Sequence, residues 1–299
     1  MSDSSGDNTA EISVNSYFDV DECIGRTINR IQNRYEQRDE ITGLPTCFTE
    51  FDKMTLGLQS KELIVIGARP CMGKTTFAVN IAVNIAKAKK APVAIFCVNE
   101  DIEELGLRMI SSIGGVSLQS LRNGRLEPFA WPRIVEAVSL LSETKIFIIE
   151  KEGFYPGDLR MRAQSIKQDH GLSLIVIDCL QSMQELDCGG RAGDVSGILR
   201  SLKSLAQDLN VPVVVLSQVS QEVELREDKR PMISDLCDSR EIERYADMVC
   251  FIYRDEYYNG ELSECPDEAE IIIRMQRNGP TGRIKLGFVE EHCTFKNLE

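Results

Sequence analysis

From residue 61 onward the chain alternates short apolar runs with stretches of helical period. ELIVIGA (62–68), PVAIFCV (92–98), KIFIIE (145–150), LSLIVID (172–178) and VPVVVLS (211–217) are apolar on successive residues, which predicts strands buried on both faces. Between them, residues 74–90, 102–113, 156–169 and 195–209 carry helical spacing; in the last, Val195, Leu199, Leu202, Leu205 and Leu209 fall in register. ADMVCFIY (246–253), AEIIIRM (269–275) and GRIKLGF (282–288) follow as strands with little helix between them. Strand–helix alternation implies an α/β fold, a mostly parallel sheet with helices on both faces. The shorter links at the end imply an antiparallel extension.

Upstream, residues 19–38 read as one amphipathic helix. Asp19 fits an N-cap, and Val20, Ile24, Ile28, Ile31 and Tyr35 recur at helical spacing. RDEITGLPT (38–46), with Gly43 and Pro45, breaks it. One helix has no core, so its stripe needs cover, either from the main domain or from another chain. Residues 1–18 are polar and acidic without an apolar stretch, and are expected to be a disordered tail rather than a signal peptide. The expected division is a tail at 1–18, a linker helix at 19–42 and one domain at 43–299.

Composition narrows the setting. The longest apolar runs are about seven residues, far short of a membrane span of about 20, so no membrane partner is expected. Ten cysteines occur singly, none as CxxC, beside two histidines. That speaks against zinc and disulfides and for a reducing, cytoplasmic compartment. The net charge of −13 is the opposite of a nucleic-acid footprint, though it leaves room for a local basic groove.

The stretch ARPCMGKTT (68–76) carries the chemistry. Ala68, Arg69, Pro70, Cys71, Met72, Gly73, Lys74 and Thr75 fit the phosphate-loop pattern GxxxxGK[ST], with Ala68 at the first glycine and Thr76 following. A strand precedes the loop and a helix follows, so loop amides and the helix N-terminus would face an anion. Lys74 would reach β- and γ-phosphates of ATP, and the Thr75 hydroxyl would ligate Mg²⁺. A chance match in a turn is the alternative. Asp178 closes LIVID and fits the metal-side carboxylate, expected at the end of a neighbouring strand; an acidic strand end without function is the other reading.

TGLPTCFTEFDKMTLGLQSKELIVIGARPCMGKTTFAVNIA, LIVIDCLQSM, LNVPVVVLSQ, DKRP, FIYRDE and QRNGPTG together resemble the RecA-type motor domain of DnaB-type replicative helicases, from about Asp19 to the C-terminus. The resemblance implies a RecA-like P-loop NTPase fold, ATP and Mg²⁺ as cofactors, and a hexameric ring with single-stranded DNA as partner. The first helix resembles the family's linker helix, which docks on the adjacent subunit. It implies roles for Lys74, Thr75 and Asp178 at the phosphates and metal, for Gln218 as γ-phosphate sensor, and for Arg277 as an arginine finger reaching a neighbour's site. An ordinary turn arginine is the alternative for Arg277. The family's N-terminal collar domain has no counterpart in these residues, so no primase contact is expected.

Three positions depart from the pattern. Where the family has a water-polarising glutamate, strict alignment gives Asn99, with Glu100 one residue on; asparagine is the poorer proton acceptor. Met275 stands where the family has a lysine two residues before the finger, and Arg274 could compensate only if the strand register moves. In the family's DNA loop, Ser234–Glu243 here, Cys237 replaces an arginine and Arg240 a glycine, with Asp238 between them. Residues 222–247 carry nine acidic and five basic side chains, a balance that opposes a phosphate-backbone grip. The leading expectation is an ATP-driven DNA helicase motor with slow hydrolysis and weak DNA binding. The alternative is a nucleotide-binding relative that acts as ring subunit or regulator; a recombinase-like ATPase fits the linker helix and finger less well.

Overall fold

The computed structural model describes residues 19–37, 40–98, 101–151, 153–183 and 195–298. The chain divides into two units, residues 1–40 and 41–299. In the first, helix α1 spans Val20–Gln37, and the Asp19 carboxylate accepts from the Glu22 amide at 2.7 Å, capping the N-terminus as its sequence suggests. Val20, Ile24, Ile28, Ile31 and Tyr35 are all exposed. The expected tail lies outside the described residues.

The second unit is built on a nine-stranded sheet. In chain order the strands are β1 (Leu63–Ala68), β2 (Val93–Cys97), β3 (Ile146–Glu150), β4 (Leu174–Asp178), β5 (Val213–Gln218), β6 (Met248–Tyr253), β7 (Glu268–Gln276), β8 (Gly282–Val289) and β9 (Thr294–Asn297). Their spatial order is β3-β2-β4-β5-β1-β6-β7-β8-β9. The first six run parallel and the last three add antiparallel, as the spacing of the runs implies.

Burial explains the continuous apolar strands. Side chains alternate across the sheet, and both faces are covered. Ile64, Ile66, Ile95 and Val176 enter one core with Phe48, Phe77 and Ile81. Leu63, Val65, Phe96 and Ile177 enter the other with Leu199, Leu202 and Leu205. The helices are α2 (Thr49–Thr55), α3 (Lys74–Lys89), α4 (Ile102–Gly114), α5 (Leu118–Asn123), α6 (Ala130–Ser142), α7 (Pro156–His170), α8 (Val195–Leu209), α9 (Ser239–Tyr245) and α10 (Asp255–Asn259). Helix α3 is buried almost all round because it lies under the β8–β9 hairpin as well as on the sheet. Phe77 stacks on Phe48 at 5.3 Å and meets Phe295 of β9 edge-on at 5.1 Å. Asn80 fastens the same contact by accepting from the Phe295 amide at 2.7 Å.

Ahead of α2, the buried Asp52 carboxylate accepts from the Thr46 amide and hydroxyl and the Cys47 amide, at 2.8–2.9 Å. This closes the turn that follows Pro45. The nine described cysteines are free, and burial pushes the Cys250 thiol up to about 12, consistent with a small hydrophobe. Among the described residues no group of three or more metal-ligating side chains occurs, and no helix is long and apolar enough to cross a membrane.

Candidate functional site

The carboxyl ends of β1, β4 and β5 open into a cleft of about 620 Å³. Residues 69–73 connect β1 to α3, and Gly73, the N-cap of α3, adopts φ 89°. A Cβ there would also lie 3.1 Å from Phe295 and 3.2 Å from Phe288, so the loop is pressed against the C-terminal hairpin at the one residue able to take both the dihedral and the contact. No side chain caps α3. Its first amides and dipole are left for an anion.

Lys74 is the lysine that lines the cleft, beside Arg69, Arg108 and Arg122. Its ammonium donates to the Ser217 carbonyl at 3.4 Å, a long contact. Burial pushes it below the usual lysine range, while the nearby Asp178 and Cys179 pull it back up. A buried cation so loosely held favours an anionic ligand, which would stabilise its charged form. The Thr75 hydroxyl donates to Asp178 at 2.5 Å, which joins the helix N-terminus to the end of β4. Asp178 was expected on the strand next to β1. It lies one strand further, because β5 sits between β1 and β4. The side chain of Thr75 spans that gap, and Gln218, aligned with Ala68 across β5 and β1, ends the strand in the middle.

Arg69, Pro70, Cys71, Gly73, Lys74, Thr75, Thr76, Asp178 and Gln218 all line the cleft. Ala68 and Met72 belong to the same loop but turn their side chains into the core. Asn99 and Glu100 lie outside the described residues. The structure adds residues that the sequence motifs did not single out. Arg108, Leu118, Arg122, Phe288 and Glu290 also line it, with Cys179 and Cys293. Arg254 lies behind it, nearly buried, with its guanidinium 4.2 Å above Phe288, ion-paired to Glu290 at 2.7 Å and donating to the Cys71 carbonyl at 3.4 Å. These residues come from α4, α5, the ends of β4 and β6 and the C-terminal hairpin, and only tertiary packing brings them to the loop.

The remaining candidates sit elsewhere. Arg277 donates from Nε to the Ala246 carbonyl at 2.9 Å and from Nη2 to the carbonyls of Arg244 at 2.7 Å and Glu243 at 3.2 Å. It caps the C-terminal end of α9. Arg274 is the extra residue of a bulge in β7, since Val249 pairs with Met275 and Cys250 with Ile273. Its side chain donates to the Pro231 carbonyl at 3.1 Å, and Met275 packs against the core. Cys237, Asp238 and Arg240 are exposed around the start of α9, where Asp238 takes φ 58°. Nearby, Arg226 and Arg230 are committed to Asp235 and Glu270, each at 2.7 Å.

Comparison with known proteins extends the picture. Residues 43–297 match the family model described as DnaB-like helicase C terminal domain. The chain is 43% identical over 286 residues to the replicative DNA helicase DnaB of Geobacillus stearothermophilus, covering 95% of this chain and 63% of the relative. It is 43% identical over 278 residues to the replicative DNA helicase DnaB of Haemophilus influenzae, covering 91% and 59%. The chain thus spans less than two thirds of the length of these helicases. Among solved structures, one described as an ATPase domain superposes with a TM-score of 0.88 at 33% identity, covering 95% of this chain and all of that one. A DnaB-like replicative helicase, solved in a study of its interactions with primase, gives 0.86 at 33% identity, covering 95% and 68%.

Proposed function

The chain belongs to the DnaB-like helicase C-terminal domain family, and from that premise we propose that it is a nucleotide-driven motor domain, with ATP hydrolysis coupled to movement along single-stranded DNA in a hexameric ring. The observation that carries the reading is the bond from Thr75 to Asp178 beside the buried Lys74 ammonium. Lys74, the loop amides and the uncapped start of α3 would hold the β- and γ-phosphates, and Thr75 and Asp178 would hold Mg²⁺. The ion supplies neutralisation of phosphate charge when bound. Gln218, at the rim, would meet the γ-phosphate. Asn99 and Glu100 remain the two candidates for orienting the attacking water.

Arg277 does not line its own chain's cleft. As a finger it would serve the cleft of a second copy, which fits a motor that works only when assembled. One observation favours a reading with weakened hydrolysis: the half-buried Met275 packs against the core and Arg274 is tied to Pro231, so neither supplies a second cation beside Arg277. We therefore expect a slow motor. Steady-state ATP hydrolysis with saturating single-stranded DNA tests this. Turnover well below the ordinary range of about 1–100 s⁻¹, lost in Asp178→Asn, fits the proposal. Turnover inside that range sinks the slow-hydrolysis reading, and a rate indifferent to Asp178 sinks the site.

A further inference from the structure

Strands β4 and β5 pair only as far as Ile177 and Val215. Beyond that point they separate, and the last residues of β5, which carry Ser217 and Gln218 into the cleft, have no strand partner on the β4 side. One side chain fills the gap. Gln181 lies in a single 3-10 turn, Leu180–Ser182, directly after Asp178 and Cys179. Its Oε1 accepts from the Gln218 amide at 3.2 Å and its Nε2 donates to the Ser217 hydroxyl at 2.9 Å. A backbone N–H can only donate, so the orientation of the Gln181 amide is fixed. The turn itself is anchored, because Leu180 and Met183 are buried and the Met183 amide returns to the Leu180 carbonyl at 3.1 Å.

We infer that Gln181 is the positioning residue that sets Gln218 for the γ-phosphate. It does for the tip of β5 what a ladder would do further down, and it ties that tip to the strand that carries Asp178. Gln181 does not line the cleft; it acts through Ser217, whose carbonyl also receives Lys74, and through the backbone of Gln218. The inference rests on Gln218 as the γ-phosphate sensor. It predicts that Gln181 matters for a nucleotide bearing a γ-phosphate and not for one without it.

The test is equilibrium binding of Mg²⁺·ADP and of the Mg²⁺ complex of the β,γ-imido analogue of ATP to the full chain. Five proteins are compared: wild type, Gln181→Leu, Gln218→Ala, the double variant of these two and Ser217→Ala. Gln181→Leu should weaken the analogue by about three- to tenfold, the range of one or two net hydrogen bonds, and leave ADP unchanged. In the double variant the analogue should bind no worse than in Gln218→Ala alone. Ser217→Ala, which removes one anchor without touching the turn, should shift the ratio of the two affinities in the same direction and by less, and it serves if Gln181→Leu fails to fold. Equal weakening of both nucleotides would mean a structural role only and overturn the inference. So would independent, multiplying effects of the two substitutions. If Gln218→Ala leaves the ratio unchanged, the sensor reading falls and the inference with it; if it flattens the ratio while Gln181→Leu does not, the inference alone falls.

Discussion

If Lys74 holds the phosphates as proposed, nucleotide binding is coupled to proton binding. Its pKa in the folded chain is lowered by burial, so the folded, nucleotide-free protein holds this proton less tightly than the unfolded chain does. Unfolding free energy therefore rises with pH as Lys74 titrates. A triphosphate bound there would reverse the shift. Affinity for ATP should accordingly be complete below the lowered pKa and fall as pH rises through it, by at most about tenfold per pH unit, with proton uptake on binding. Calorimetric titrations at several alkaline pH values check the sign; affinity that climbs with pH would contradict it. Gly73→Ala should cost about 2 kcal/mol in chemical denaturation, from a left-handed dihedral and the crowding against Phe295 and Phe288. At this scale much of the candidate site was legible: a glycine, a lysine and a threonine between a strand and a helix mark the loop, and the aspartate that ends LIVID is the one that Thr75 meets. Arg254 and Gln181 were not, because an isolated arginine or glutamine has no pattern; their meaning comes from Cys71, Phe288, Ser217 and Gln218, far off in sequence.

Helix α9 has seven residues and lacks a side-chain N-cap. Such a helix is marginal by itself, and the Arg277 guanidinium satisfies three carbonyls at or just beyond its end. Arg277→Ala should speed amide exchange across 239–247, while Arg277→Lys, which keeps charge but not the planar fork, should restore it only in part. Exchange unchanged in both would mean the cap is decorative. The same bonds explain why a candidate finger also reads as a turn arginine: within one chain it is one. At the element scale, the periodic segments were legible and the short ones were not. Helix α6 escaped because Trp131, Val135 and Val138 face outward, so its sequence shows no clean apolar stripe, and Pro132 reads as a break although the first turn tolerates it. Strand β9 is four residues long, and pairing with β8 and contact with Phe77 make it a strand rather than any local preference.

Across the whole molecule the net charge is −13, and near α9 Arg226 and Arg230 already face carboxylates. Few phosphate contacts remain for a DNA strand on this face. Binding of single-stranded DNA should therefore be weak, with a shallow dependence of log affinity on log salt. A tight complex losing several decades between about 50 and 200 mM salt would mean that a basic groove forms elsewhere or between copies. The alternation of apolar runs made the parallel sheet and its antiparallel extension readable. The strand order was not, since Thr75 and Asp178 meet across β5 only because of how the crossovers thread. The most direct test of the account is equilibrium binding of Mg²⁺·ATP to the wild-type chain and to Lys74→Ala. Saturable, Mg²⁺-dependent binding weakened about a hundredfold by loss of the buried ammonium is the predicted result. No binding to the wild type, or equal binding to both, would contradict it.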